Sequence, residues 1–412
     1  MFRHYVKTSV RALLRKPMYT VINVVGLAVG LALALVVLGH VSHEVSFEDF
    51  HVNKDRIHRI EGRYVSEDDD FRSAAVMAPL GHAMVAETPE VERAAVFRVR
   101  RITSVRVGEE RRRIKDEYEG ACYAHHKKVI FADPDYLRVF TFPLLEGDPQ
   151  AALTEPFSVL ITQRAAEEYW PGKDPMGQMI RINDDLDCRV TGILENIPQN
   201  TQLYCDFIIS YATLERVDED IRSWTKFGTD YAYLLLKERA DPEVVAAKIP
   251  SVVAAHMPPE ELSKYSFKLK PLKKIYFSVY TDWNRGEIYP AGEASMIYTL
   301  LIVAAFIVLQ AVANFVNLST AKAADRMKEV GVRKVLGAFR TQLARQFIGE
   351  SLIISLAAGG IGLILYELFR SQVYSYLPRK MFADFYGNPL MILGAIGVIV
   401  PVSYTHLTLP TN

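Results

Sequence analysis

From Pro17 to His43 the chain carries no Asp, Glu, Lys or Arg. The core of this run, MYTVINVVGLAVGLALALVVLGH from Met18 to His40, is long enough to cross a bilayer as one helix, which takes about 20 apolar residues. A cleaved signal peptide has a shorter apolar core and a small-x-small cleavage site. Gly39-His40-Val41-Ser42-His43 is a poor site of that kind, so the run reads as an uncleaved anchor. Further apolar runs extend from Ser295 to Leu318, from Ile348 to Phe369 with Glu350 and Glu367 near its two ends, and from Pro389 to Val402, the last too short to span. The 412 residues carry no formal net charge and no long basic stretch, which argues against a nucleic-acid binder.

Orientation follows from lysine and arginine near the ends of the apolar runs. Arg3, Lys7, Arg11, Arg15 and Lys16 precede the first; Lys322, Arg326, Lys328, Arg333, Lys334, Arg340 and Arg345 separate the second from the third. Both segments are expected in the cytoplasm, which puts Glu44–Glu293 and the short Arg370–Asn388 loop outside. Residues 1–16 can form an amphipathic helix, with Phe2, Tyr5, Val6, Val10 and Leu13 at helical spacing. Such a helix suits the inner leaflet, or serves only as a topology signal.

The outer region alternates strand-like and helix-like signals. Tyr231–Lys237 reads as a strand, Asp241-Pro242 as an N-cap with proline at the first helical position, the sequence to His256 as helix, and Tyr265–Leu272 as a second strand: a βαβ pattern. Ser158–Ile161 followed by Gln163–Tyr169 is another strand-to-helix step, and Met179–Ile193 resembles a hairpin turning at Asn183-Asp184-Asp185. The fold class is therefore an α-helical integral membrane protein with a mixed α/β extracytoplasmic domain: helix 1, a large ectodomain, then helices 2–4.

Little in this region looks like catalysis. His40, His43, Glu44 and His51 can be drawn as a metal cluster, but their spacings do not put three on one helical face. His125-His126-Lys127-Lys128 reads as a solvated turn. No G-x-S-x-G, H-E-x-x-H or C-x-x-C is present, and Pro171-Gly172-Lys173 lacks the upstream glycine of a P-loop. Three cysteines, Cys122, Cys188 and Cys205, cannot pair completely. A Cys188–Cys205 disulfide is one alternative outside the cytoplasm, and three free thiols are the default.

The cytoplasmic loop from Ala324 to Phe347 places Val332, Val335, Leu336, Phe339 and Leu343 on one helical face, with Arg333, Lys334, Arg340 and Arg345 off it. Gly331 and Gly337 interrupt it, each lowering helix propensity. A short amphipathic helix here is either a membrane-surface helix or a knob that docks a partner. Within the membrane segments Gly26, Gly30 and Ala34 form a small-xxx-small row, and Gln310, Asn314 and Asn317 share one face. Ordinary helix–helix packing explains them; a dimer interface that slides is the sharper alternative. Glu350 is either an intramembrane charge with a role or a group at headgroup level.

Glu329-Val330-Gly331-Val332-Arg333-Lys334-Val335-Leu336-Gly337-Ala338 closely resembles the signature after the second membrane helix of ABC permeases of the MacB, FtsX and lipoprotein-releasing type. Arg11-Ala12-Leu13-Leu14-Arg15-Lys16 and Asn23-Val24-Val25-Gly26-Leu27-Ala28-Val29-Gly30 resemble the start of its long Bacteroidetes members. Phe47-Glu48-Asp49-Phe50-His51, Phe140–Asp148 (FTFPLLEGD) and Val190–Pro198 (VTGILENIP) resemble its periplasmic core domain. The resemblance runs from about residue 1 to 402. It implies a cytoplasmic amphipathic helix at 1–17, a transmembrane helix at 18–42, a periplasmic core domain at 43–293, and an FtsX-like membrane domain at 294–402. The last would hold helices at about 295–318, 348–369 and 389–402, with a coupling helix at 325–346.

The resemblance further implies an inner-membrane subunit that is not itself an enzyme and carries no cofactor. ATP and Mg would sit on a separate cytoplasmic ABC ATPase dimer docked on Glu329–Ala338 and Phe339. A second permease half or copy is expected beside it, and a periplasmic adaptor or outer-membrane channel is a further candidate partner. Family members extrude peptides or macrolides, release lipoproteins, or switch on cell-wall hydrolases, by mechanical coupling. An FtsX-like regulator that transports nothing is the alternative within the family; a membrane sensor with an extracytoplasmic binding domain is the alternative outside it. Residues 403–412 resemble a translated sequencing-adapter tail, so the sequence reads as the truncated N-terminal half of a longer permease.

Overall fold

Strands buried on both faces read as unbroken apolar runs rather than as alternation, and YAYLLL at Tyr231–Leu236 is buried at every position. The computed structural model describes residues 17–113, 128–218, 220–282, 284–285, 292–321, 332, 335–336, 339–376, 392–393 and 396. They form two compact units, one from the segments before Val45 and after Ala294, the other from Ser46 to Glu293.

The Ser46–Glu293 unit is built on a 14-stranded mixed sheet. In chain order, with the long first helix of the other unit counted as α1 (Pro17–Val45), its elements begin β1 (Ile57–Val65), β2 (Asp70–Ser73), α2 (Leu80–Glu87), β3 (Val91–Arg101), β4 (Ser104–Val107) and β5 (Glu110–Arg113). Next come β6 (Lys128–Ala132), α3 (Tyr136–Val139), β7 (Leu144–Glu146), β8 (Ser158–Thr162), α4 (Gln163–Tyr169), β9 (Met179–Ile182) and β10 (Leu186–Leu194). The unit closes with β11 (Phe207–Ser210), α5 (Ala212–Val217), β12 (Tyr231–Leu236), α6 (Pro242–Ala254), α7 (Pro259–Leu262), β13 (Tyr265–Pro271), α8 (Leu272–Asp282) and β14 (Asn284–Arg285). The spatial order is β14-β2-β1-β12-β3-β6-β11-β8-β10-β9-β4-β5, with β13 added on β1 and β7 on β10.

Because side chains alternate across a strand, the sheet separates two cores. Ala94, Val96, Val129, Phe131, Ala232, Leu234, Phe207 and Ile209 face one, which α2 and α6 cover with Leu80, Met84, Val245, Ile249 and Val252. Ala95, Phe97, Ile130, Tyr231, Tyr233 and Ile208 face the other, covered by Tyr136 and Val139 of α3 and by Leu272 and Ile275 of α8. Asp241 caps α6, its carboxylate accepting from the Glu243 N–H at 2.9 Å, with Pro242 at the first turn. The expected βαβ unit is a split one. β12 and β13 run parallel, but β1 lies between them and pairs antiparallel with both. The β9–β10 hairpin turns through Asn183 and Asp184, with φ of 56° and 64°, a region these two residue types tolerate best after glycine.

The default of free thiols holds for Cys188 and Cys205, and one reading is corrected. Cys188 belongs to the first core and Cys205 to the second; both thiols are free, and a sheet stands between them. Lys128 is not in a solvated turn: it opens β6 and its ammonium donates to the Gln202 carbonyl at 2.8 Å. His125-His126-Lys127 and Cys122 lie outside the described residues.

The other unit holds α1, α9 (Ala294–Ala321) and α10 (Arg340–Tyr376). Each contains a stretch long and apolar enough to cross a membrane: Pro17–Val45, Ala294–Leu318 and Gly349–Gln372. Leu27 and Ala28 pack with Ile354 and Ala358, and Leu31 and Leu35 with Tyr366, so α1 and α10 run parallel. Gly26 meets Asn314 and Gly30 meets Ala311, so α9 runs antiparallel to α1. Residues 1–16 and most of 389–402 lie outside the described residues, where Ile392, Leu393 and Ile396 are helical.

Candidate functional site

Three features of the folded chain have the character of a site: a row of exposed apolar side chains before α10, the contact faces of the membrane helices, and a buried polar node where the ectodomain begins.

Of the signature Glu329–Ala338, Val332, Val335 and Leu336 are described, with Phe339 just after it; Glu329, Val330, Gly331, Arg333, Lys334, Gly337 and Ala338 lie outside the described residues. Val332 and Val335 are helical, and the Leu336 N–H closes one α-turn on the Val332 carbonyl at 3.1 Å. Leu336 is already in a turn, Phe339 is non-helical, and α10 starts at Arg340. Among the described residues of 325–346, Phe339 is not helical, and Leu343 belongs to α10. Val332, Val335, Leu336 and Phe339 are 61% to 89% exposed, an unusual density of bare apolar surface over eight residues.

Within the membrane helices the small residues mark close approach. A β-carbon at Gly30 would stand 2.6 Å from Cβ of Ala311, and one at Gly26 3.2 Å from Nδ2 of Asn314. Ala34 is buried in the same row. On α10, Gly362 does the same work, with the Ala28 carbonyl oxygen 3.1 Å from where its β-carbon would be. Gln310, Asn314 and Asn317 are exposed on the protomer, although Asn314 also borders Gly26.

The third feature gathers residues from two of the resembling stretches and from the segment just past the third. Glu48 is 1% exposed and has φ of +59°, a strained region for a residue with a side chain. Its N–H donates to the Asn200 carbonyl at 2.9 Å. Its carboxylate accepts from Thr201 Oγ1 at 2.6 Å, the Gln202 N–H at 2.7 Å and His51 Nε2 at 3.1 Å. His51 Nδ1 accepts from the Thr141 N–H at 3.0 Å, which fixes the ring as the Nε2–H tautomer. Thr141 also accepts from the Val52 N–H, and Asn200 Nδ2 donates to the Ser46 carbonyl at 2.8 Å. Phe47 stacks on Tyr276 of α8 at 3.6 Å. His51 thus spends both ring nitrogens inside the fold, which removes it from the cluster drawn with His40, His43 and Glu44. No local pattern joins Glu48 to Thr141 and Thr201, which lie about 90 and 150 residues further along the chain.

A second constraint ties the remaining resembling stretches together. Gly147 has φ of +105°, and a β-carbon there would lie 2.7 Å from the Thr191 carbonyl oxygen. A β-carbon at Gly192 would lie 2.9 Å from the Glu146 oxygen. Elsewhere in the ectodomain, Glu61, Gly62, Arg63, Arg72, Ser266, Phe267 and Lys268 line a cavity of about 180 Å³, smaller than the ~300–1,000 Å³ of a ligand cleft. Burial raises the Glu61 carboxyl, but Arg59, Lys270 and Lys268 outweigh it and hold its pKa below the usual range.

The chain matches the MacB-like periplasmic core domain over residues 20–252 and the FtsX-like permease C-terminal over residues 301–408. The macrolide export ATP-binding/permease protein MacB of Shewanella sp. (strain W3-18-1) is 22% identical over 281 residues, covering 66% of this chain and 38% of that protein. The uncharacterized ABC transporter permease YknZ of Bacillus subtilis (strain 168) is 24% identical, over 50% of this chain and 46% of that protein. The chain therefore spans less than half the length of these relatives. A domain of a putative permease from Porphyromonas gingivalis aligns with a TM-score of 0.46 at 19% identity, covering 54% of this chain and 91% of that one. With core-domain and FtsX-like regions in this order, the chain belongs to the MacB/FtsX type of ABC transporter permease.

Proposed function

We propose that this chain is the permease part of an ABC-type export or mechanotransmission complex, and that a separate cytoplasmic ATPase docks on Val332, Val335, Leu336 and Phe339. The observation that carries the reading is the exposure of those four side chains directly before α10, a single helix of 37 residues. At 1.5 Å per residue that helix is about 55 Å long, and it packs along α1, which leads in sequence into the ectodomain. A push at the docking end has a stiff route to the far side of the bilayer. The charged segments before α1 and between α9 and α10 favour the cytoplasm for the docking end.

In this reading the chain performs no chemistry; ATP and Mg belong to the partner. A second permease half or copy covers the Gln310–Asn314–Asn317 face, and a periplasmic adaptor or outer-membrane channel receives the motion. The macrolide-export names of several relatives favour export of amphipathic molecules over regulation alone.

The test is purification from native membranes in mild detergent, comparing wild type with Val335→Glu and Phe339→Glu. An ABC ATPase that accompanies wild type and is lost from both variants, with membrane insertion intact, is the expected result. An ATPase retained by both variants would move the docking surface elsewhere.

A further inference from the structure

One backbone hydrogen bond decides which way β13 points its unpaired groups. The Val65 N–H donates to the Lys264 carbonyl at 2.8 Å, and these two residues stand directly opposite each other, continuing the β1–β13 register. In an antiparallel ladder the hydrogen-bonded pairs recur at every second residue. Arg63 with Ser266, Glu61 with Lys268 and Arg59 with Lys270 are therefore the bonded pairs. Tyr265, Phe267 and Leu269 turn their N–H and C=O groups away from β1. The opposite side of β1 is taken by β12 and then β2, so these groups face an edge of the sheet. Among the described residues no strand lies beyond β13, and no backbone group meets them.

The two faces beside this edge differ. Tyr265, Phe267 and Leu269 pack on the first core. Ser266 and Lys268 alternate with them and, together with Glu61, Arg63 and Arg72, line the cavity on the other face. Lys268 and Lys270 stand 3.3 and 3.2 Å from the Glu61 carboxylate, and Arg63 holds Asp70. Across the described residues of β2, β1 and β13 on that face, Arg59, Arg63, Arg72, Lys268 and Lys270 outnumber Glu61 and Asp70.

We propose that β13 accepts a further strand from another protein, an extended segment antiparallel to it in which apolar and acidic residues alternate. Backbone bonds form at Tyr265, Phe267 and Leu269. The residues opposite these three prolong the apolar face, and those opposite Ser266 and Lys268 set carboxylates against the cationic one. A second copy does not suit the edge. Pairing β13 with itself about Phe267 opposes Lys264 and Lys270, and about Leu269 it opposes Lys268 and Lys270. These lysines, with Pro271 lacking an N–H, deter indiscriminate pairing at an open edge, and the same charge selects an acidic strand. The proposal concerns the ectodomain alone and stands whether or not an ATPase docks before α10.

The test uses the full chain in mild detergent and the acetylated, amidated peptide Thr-Val-Glu-Val-Glu-Val-Thr as probe. In residue-resolved hydrogen exchange of the free chain, the Tyr265, Phe267 and Leu269 amides should exchange fast, and those of Ser266, Lys268 and Lys270 slowly. The peptide should slow the first three. By fluorescence anisotropy, N-methylation of its central valine should weaken binding about fivefold, and lysine in place of both glutamates should abolish it. Ser266 is exposed, and Ser266→Glu should weaken the acidic peptide about tenfold while admitting the lysine one. Unfolding cannot produce that reversal. Slow exchange at Tyr265, Phe267 and Leu269 in the free chain would show the edge already covered and overturn the proposal. Absence of binding by the acidic peptide, equal binding of the two peptides, or protection only at other residues would do the same.

Discussion

At the scale of single residues, Glu48 separates two effects that usually travel together. Its backbone is strained, at about 1–3 kcal/mol for such a conformation, while its carboxylate satisfies three buried donors. Truncation to alanine strands those donors, and a loss of about 2–4 kcal/mol is expected. Glu48→Gly loses the same bonds but relieves the backbone, so its midpoint in thermal unfolding should lie above that of Glu48→Ala. The reverse order would mean that the observed φ carries no strain. Asp133 offers a pH-dependent counterpart. Burial raises its carboxyl to about 8, against the opposing pull of the Val96 and Tyr136 N–H groups. The folded state then holds a proton that the unfolded chain releases near pH 3.8, so stability falls as pH rises between those values and levels off above the higher one. Asp133→Asn should flatten that slope in melting curves across the range.

At the scale of elements, much of the fold was readable because propensity and burial agree. The Thr162 cap before α4, the proline at the start of α6 and the Asn183-Asp184 turn are local chemistry, and each falls where the residues put it. What local pattern did not contain was the insertion of β1 between β12 and β13, since pairing partners more than 150 residues away leave no mark on periodicity. Before α10, an apolar face at Val332, Val335, Leu336, Phe339 and Leu343 fits one helix by spacing, yet Phe339 is not helical and α10 starts only at Arg340. Side-chain spacing reports a face and not the backbone at each position along it. The buried node at Glu48 was invisible because its ligands come from Thr141 and Thr201, far along the chain. For the membrane helices, Gly30→Leu should weaken packing of α9 on α1 and lower the detergent-stability midpoint, with Ala311→Gly restoring part of the loss. Failure of the second change to help would place the close contact elsewhere.

At the scale of the whole molecule, the parallel α10 and antiparallel α9 fix only relative directions; absolute orientation rests on charge. An impermeant maleimide should label Glu109→Cys on intact cells and Lys322→Cys only after permeabilisation, and the opposite pattern would invert the topology. That experiment is run with Cys122→Ser, and it benefits from where the other two native thiols lie. Burial pushes both Cys188 and Cys205 up to about 12, keeping them protonated and unreactive at neutral pH. Each is also sealed into a different side of the same sheet. Neither can reach the other without the strands between them coming apart, so the pair is indifferent to the redox poise of its surroundings. The ectodomain should mature equally well in cells with and without a thiol-oxidising system, and reductant should leave its melting temperature where it was.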